Sequence, residues 1–558
     1  MAAGDRVASR LRPRAGDDAV TAFGQQLLAR SDHDGAALLY EDQSWSYREL
    51  VEEGRRRAGL LQGLLDPTEP PHVGVLLDNV PDYFFWLTAA ALSGAVIVGI
   101  NSTYRGEQLS QLIDHTDCQV IVTDSELAVL LADAPHTVPA DKVLLVDDSE
   151  YLKRIAAAVP LSADAFEPTD DDLFLLIFTS GSTGLPKAVR CTQGRIGRTG
   201  LHVATIAEHT PADVVYAPLP LFHAASLFTA WAGAVHAGVP VATRKKFSAS
   251  STLPDIRKFG ATFISYTGKV LNYILSVPEQ PDDATVPLRL AIGNEASEHD
   301  IREFTRRFDC HVRDSYGSTE GVIIVRRDAS MPKGALGIST DTVKVLDPDT
   351  GDECPRAEFD ADGRVVNLEA ATGELVETQP TSGFEGYYRN DAATQERFRD
   401  GAYWSGDLAY RDAEGWLFFA GRSNEWLRVD GENFAAAPVE AILGRHPDVR
   451  SVAVYAVPDD PVGDRVMVAL ELRNAASFDA KAFDEFLGDQ PDLGPKWVPA
   501  FVRVTDELPK LASMKLDKRR LRNEAWLADD VYFRPARREQ LRPLTDGDRS
   551  ALAHLLGS

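Results

Sequence analysis

The sequence predicts an α/β protein of layered, largely parallel sheets, with a β-rich subdomain and a small α+β unit at its C-terminal end. Three observations lead there. Over about the first four-fifths of the chain, short β-rich runs alternate with helical stretches, the pattern of parallel sheets covered by helices. Near Gly337–Glu377 the texture changes to short strands and turns such as DPDTGDE. After about Gly421 a second, smaller alternation begins. A chain of 558 residues, 44% hydrophobic and 25% charged, has the apolar material for two or more compact units. No repeat of roughly 20–50 residues recurs, which excludes a solenoid or propeller.

In order along the chain, strands are expected at Val73–Leu77, Val120–Thr123, Lys142–Val146, Leu173–Thr179 and Phe263–Tyr266. Helices are expected at Tyr47–Leu64, Tyr83–Ala91, Gly106–Thr116 and Glu298–Phe308. The apolar run Phe84–Ile100 is short for a membrane span and is broken by Ser93-Gly94, with Asp78 and Asp82 close before it. It is read as a buried helix turning into a buried strand. In the tail a helix begins near Pro438, and strands Val452–Ala456 and Val466–Leu472 are joined by the turn PDDPVGDR, whose residues favour a hairpin. A helix near Ala480–Gly488 and a strand near Ala500–Val504 follow. The last residues are polar and charged and are expected to be peripheral.

The formal net charge of −26 repels nucleic acid and anionic lipid headgroups, so no nucleic-acid partner is expected. Anionic ligands then need local lysines, arginines and backbone N–H groups. Cys118, Cys191, Cys310 and Cys354 are scattered without metal-ligand spacing, as in a cytoplasmic protein with reduced, packing thiols. The opening MAAGDRVASRLRPRAG has no apolar stretch behind its basic residues, so a secretory signal is not expected.

The sharpest chemical feature is LLIFTSGSTGLPKAV, Leu175–Val189. A buried strand runs into Thr179, Ser180, Gly181, Ser182, Thr183 and Gly184, closed by Pro186-Lys187. Small residues let the backbone approach phosphate oxygens, hydroxyls donate hydrogen bonds, and Lys187 adds positive charge. The spacing from Gly181 to Lys187 and the presence of Ala188 exclude a Walker A loop.

TSGSTGLPK closely resembles the phosphate-loop signature of the adenylate-forming enzymes: acyl-CoA synthetases, peptide-synthetase adenylation domains and luciferases. Further segments match in the family's order. DSYGSTEG (Asp314–Gly321) resembles the adenine and metal motif, and SGDLAYRDAEGWLFFAGR (Ser405–Arg422) the ribose motif. GRSNEWLRVDGENFAAAPVE (Gly421–Glu440) resembles the hinge, and LPKLASMKLDKRRL (Leu508–Leu521) the catalytic-lysine motif. The resemblance implies a large multi-subdomain AMP-binding domain, 1–422, and a small mobile domain, 423–558, hinged near Asn424.

It also implies roles. Asp314, Ser315, Tyr316, Gly317 and Ser318 belong to the nucleotide motif, with Tyr316 facing adenine, where a flat ring suits stacking. Thr319 bonds the α-phosphate, and Glu320 holds Mg²⁺, a hard cation that prefers carboxylate and phosphate oxygens. Asp407 accepts from both ribose hydroxyls with help from Arg422. Gly293 and Asn294 line adenine and acid. Lys515 reaches the carboxylate and α-phosphate during adenylation, where a cation steadies charge that builds in the transition state. No general base is required, because a carboxylate is already ionised near neutral pH. Gly431 lines the pantetheine tunnel of coenzyme A. His223 matches a position beside the acid's carboxylate, although a core histidine fits the same sequence. Tyr266, Thr267, Gly268 and Lys269 belong to the acid pocket or its mouth, with plain core as the alternative for Tyr266.

Two departures inform. Met514 stands where most family members carry glycine before the lysine, and Asn424 stands where Asp or Lys is usual at the hinge. LASMKLDKRRL, DDVYFR, GNEASEHDIREFTRRF, Val343–Tyr388 and GENF are similar to the very-long-chain acyl-CoA synthetase and fatty-acid transport protein branch. Ala224 and Ala225 carry no charge for a substrate ammonium, so a hydrophobic acid, fatty or steroid-type, is expected rather than an amino acid. The implied activity is ATP-dependent acid–CoA ligation through an acyl-adenylate, with ATP, Mg²⁺ and coenzyme A. Rivals are an acyl-AMP ligase that loads a carrier protein and a lipid transport protein with a vestigial ligase site. Oligomeric state, a homodimer included, and peripheral membrane contact stay open.

Overall fold

The structure is a computed structural model of the 558-residue chain. It describes residues 22–179, 186–327, 330–332, 334–361, 365–380, 383–422, 426–429, 432–458, 464–473, 478–490, 493–511, 514–536 and 539–557.

Two sheets with helices between and around them form the body of the large domain. The first runs in space Val143–Leu145, Cys118–Thr123, His72–Leu76, Val96–Gly99, Leu173–Thr179, Lys187–Thr192, parallel except for its last pair. The second runs His311–Asp314, Leu290–Asn294, Phe263–Thr267, Val215–Tyr216, Val241–Thr243, Ala36–Tyr40, Gln43–Ser46, again parallel except at its last pair. One continuous core joins them, with Val73 and Val75 from the first sheet, Leu38, Val215 and Phe263 from the second, and Leu50, Phe84 and Trp86 from intervening helices.

The run Phe84–Ile100 behaves as its sequence suggests. Pro81 opens a helix to Ala91 whose residues from Tyr83 onward are all buried, and strand Val96–Gly99 follows. A helix apolar on every face belongs in a core. No helix of the described residues is long and apolar enough to cross a membrane. Helix Tyr47–Gln62 starts where Ser46 and Glu49 close a capping box.

The β-rich region is an antiparallel sheet of Val343–Leu346, Gly373–Glu377, Ala402–Arg411 and Phe398–Arg399, with Leu417–Arg422 paired to Ala402–Arg411. The small domain has its own sheet. Val449–Pro458 and Asp464–Leu472 form the expected antiparallel pair, and helix Ala480–Gly488 crosses over so that Phe501–Thr505 pairs in parallel.

One expectation fails. The last residues are not peripheral: Val531–Phe533 and Arg542–Pro543 add two strands to that sheet. Val531, Phe533, Leu552 and Leu555 then bury with Phe501 and Trp526 in a second core layer. A few apolar side chains spaced among charged ones suffice to seal a small sheet.

Candidate active site

Strands Phe263–Thr267 and Leu290–Asn294 lie side by side and end together, and a parallel sheet presents its ligands at such carboxyl ends. Gly293 pairs with Asp314 on the next strand, and the Ser315 amide donates to the Gly293 carbonyl at 2.9 Å. Tyr316–Gly321 follow directly from that strand end. The Asp314 carboxyl faces inward, accepting from the Tyr266 hydroxyl at 2.8 Å and the Ala296 amide at 2.9 Å. Burial raises its pKa to about 6. Tyr266 is therefore core, its ring wholly buried and its hydroxyl spent on Asp314.

The Tyr316 hydroxyl donates to Asp407 Oδ2 at 2.5 Å, which joins the residue expected at adenine to the one expected at ribose. Burial, then the Asp407 charge, holds the Tyr316 phenol well above its ordinary pKa. Asp407 sits in strand Ala402–Arg411 opposite Arg422, just after a bend fixed by the Gly406 amide donating to Glu374 at 2.6 Å. Nothing lies within 4 Å of the point where a Gly317 side chain would begin. The Ser318 hydroxyl oxygen accepts from the Gly321 amide at 3.3 Å, and the Thr319 carbonyl accepts from Arg195.

Glu320 is buried and accepts from the Tyr387 hydroxyl at 2.8 Å. Among the described residues no three His, Cys, Asp or Glu side chains gather as a metal cluster. A single buried carboxylate beside the expected phosphate loop fits Mg²⁺, which takes few protein ligands and completes its shell with phosphate and water. Thr179 and Lys187 face each other across the antiparallel ladder, bringing both ends of the phosphate loop together. The Lys187 ammonium lies 5.3 Å from the centre of the Tyr387 ring and 3.5 Å from Glu396. Ser180, Gly181, Ser182, Thr183, Gly184, Asn424 and Gly431 lie outside the described residues.

Lys515 reaches across from the small domain. Its Nζ lies 2.5 Å from Glu295 Oε1, one residue past Asn294. His223 is close enough to feel the lysine: burial first, then the Lys515 charge, lowers its pKa to about 4, so the ring is neutral at pH 7. His223 Nε2 and Asn294 Oδ1 are buried without a hydrogen-bond partner. Buried polar atoms are usually paired in a finished structure, so both atoms are open to a polar group of a ligand. Beyond His223, Ala225–Ala232 takes π-helical turns, a form frequent at functional sites.

Tyr387, Arg195, Glu295 and Arg397 were not singled out by sequence. Arg397 raises no motif, yet its charge acts on Tyr387, and it is in turn held charged by Tyr387 and Glu320. The doubled tyrosine in GYYRN was the one available signal for Tyr387.

Comparison with known proteins places this geometry among relatives. The model for AMP-binding enzyme matches residues 26–388, and the model for AMP-binding enzyme C-terminal domain matches 438–515. Steroid-22-oyl-CoA synthetase of Rhodococcus jostii (strain RHA1) is 44% identical over 537 residues, covering 95% of this chain and 96% of its own. Medium/long-chain-fatty-acid–CoA ligase FadD17 of Mycobacterium tuberculosis is 43% identical over 512 residues, covering 92% and 98%. Among solved structures, o-succinylbenzoate CoA synthetase (MenE) of Bacillus subtilis with its acyl-adenylate superposes with TM-score 0.73 at 25% identity, covering 90% of this chain and 97% of its own. ATP-bound MatB of Rhodopseudomonas palustris shares the fold with TM-score 0.76 at 24% identity, covering 90% and 98%.

Proposed function

Because the chain belongs to the AMP-binding enzyme family, we propose that it is an ATP-dependent acid–CoA ligase acting on hydrophobic carboxylic acids of fatty or steroid type. The observation that carries this reading is the meeting of Lys515 with the strand ends that bear Asn294 and Glu295, beside the unpartnered nitrogen of His223.

In the first half-reaction a carboxylate oxygen attacks the α-phosphorus of ATP, an acyl–phosphate bond forms, and pyrophosphate leaves. Lys515 stands by the charge that gathers on the α-phosphoryl oxygens. Asp407 and Tyr316 hold the nucleoside end, and Lys187 and Thr179 the phosphates. Neutral His223 and Asn294 orient the acid's carboxylate. Mg²⁺, when bound at Glu320, supplies charge neutralisation for the phosphates. In the second half-reaction the CoA thiol attacks the acyl carbon, a thioester forms, and AMP leaves.

We place the domain boundary after Arg422 with its pivot at Asn424. Strand Leu417–Arg422 still belongs to the β-rich sheet, while Leu427 already packs in the small domain's core, which supports that placement. Withdrawal of Lys515 about this pivot would open the site to the thiol.

The substrate class rests on the two relatives named above and on Ala224 and Ala225, which offer no partner to a substrate ammonium. CoA-dependent AMP release measured over a panel of fatty, cholanic and short acids tests it. Medium or larger hydrophobic acids should exceed acetate by orders of magnitude; equal rates with acetate would overturn the assignment.

A further inference from the structure

Met514 holds a backbone conformation that favours glycine, with φ of 65°. Its side chain is not spent on solvent. It packs against a cluster of the large domain that contains Tyr266, Val270 and Leu271. Facing it, Gly268 has φ of 53°, and a Cβ there would lie 2.9 Å from the Met514 carbonyl oxygen and 3.6 Å from the Lys515 Cα. Nearby, the Lys510 ammonium sits 4.0 Å from the centre of the Tyr273 ring. The loop that carries Lys515 thus meets the large domain through the Met514 side chain, the Met514 carbonyl facing Gly268, and Lys510 on Tyr273, and Lys515 extends toward Glu295.

We propose that Met514 is a positioning residue: it docks the lysine loop on the large domain in the orientation that forms the adenylate, with Gly268 left bare to admit it. The proposal rests on the ligase reading above. A glycine at 514 would relieve the backbone and bury nothing, whereas methionine accepts an unfavourable φ and gains apolar contact with the other domain. That contact exists only while the domains are docked. It therefore favours the adenylating orientation over the one in which Lys515 has withdrawn.

The test separates the half-reactions in the full-length protein. Pyrophosphate exchange into ATP, with the best acid of the panel, reports adenylation; CoA added to the chemically prepared acyl-adenylate reports thioester formation. Met514→Gly should slow exchange about ten-fold, the size expected from losing one partly buried apolar contact, and leave thioester formation within two-fold or faster. Met514→Leu should keep both near wild type. Met514→Ala, which removes the apolar contact without changing the backbone preference, should reproduce the split if Met514→Gly proves unstable. Equal slowing of both halves, or unchanged exchange, would overturn the docking role. A wild type with no exchange at all would instead overturn the ligase reading.

Discussion

Tyr387 touches two residues of the proposed phosphate and metal site at once, its ring under Lys187 and its hydroxyl on Glu320. Tyr387→Phe keeps the ring but removes the hydroxyl that orients the Glu320 carboxylate. A hydrogen bond to a charged group contributes about 1.5–3 kcal/mol, so the Mg²⁺ concentration for half-maximal pyrophosphate exchange should rise roughly ten-fold with the acid's KM unchanged. A matching rise in that KM would show that Tyr387 does not act through Glu320. His209 gives a prediction on stability. Burial lowers its pKa to about 4, and both ring nitrogens lack partners against the Phe263 ring. Above pH 6.5 the imidazole is neutral folded and unfolded; as pH falls from 6.5 toward 4 only the unfolded chain gains the proton, so stability is lost over that window. Relative to His209→Leu, the native protein should lose about 1–2 kcal/mol between pH 7 and pH 5 in urea unfolding. At this scale Tyr316, Asp407 and Lys515 could be singled out because each sits in a motif with fixed neighbours. Tyr387 and Glu295 were not, because their partners lie 67 and 220 residues away, where local sequence carries no signal.

At the scale of elements, long periodic segments read well: Leu173–Thr179, Glu298–Phe308 and Ala480–Gly488 form with the bounds their patterns suggest. The tail did not, since Val531–Phe533 and Arg542–Pro543 are too short to show alternation. Their value comes from what they cover. Truncation after Leu527 should expose Phe501 and Trp526 and leave the small domain open to protease, while the large domain stays resistant. A truncated small domain as resistant as the full-length one would contradict the second core layer.

Across the whole molecule, the small domain's cores are distinct from the one that joins the two large sheets. Two-state unfolding is then not expected; tryptophan fluorescence and far-ultraviolet circular dichroism should report different urea midpoints. Coincident midpoints would argue for a single cooperative unit. The overall architecture was readable from the alternation and the change of texture near Gly337–Glu377, whereas the approach of Lys515 to the strand ends was implied only by the motif resemblance, because it depends on how two separately cored bodies meet. In the proposed mechanism that approach brings the Lys515 ammonium to the point where acid and nucleotide would react. The direct measurement is an acid-quenched single turnover with MgATP and a hydrophobic acid, CoA withheld, read by mass spectrometry. Native protein should accumulate the acyl-adenylate at about one per site, and Lys515→Ala should form it at least a hundred-fold more slowly, as for loss of about 2.7 kcal/mol of transition-state stabilisation. Thioester made on later addition of CoA with no adenylate beforehand, or equal adenylate formation by Lys515→Ala, would contradict it.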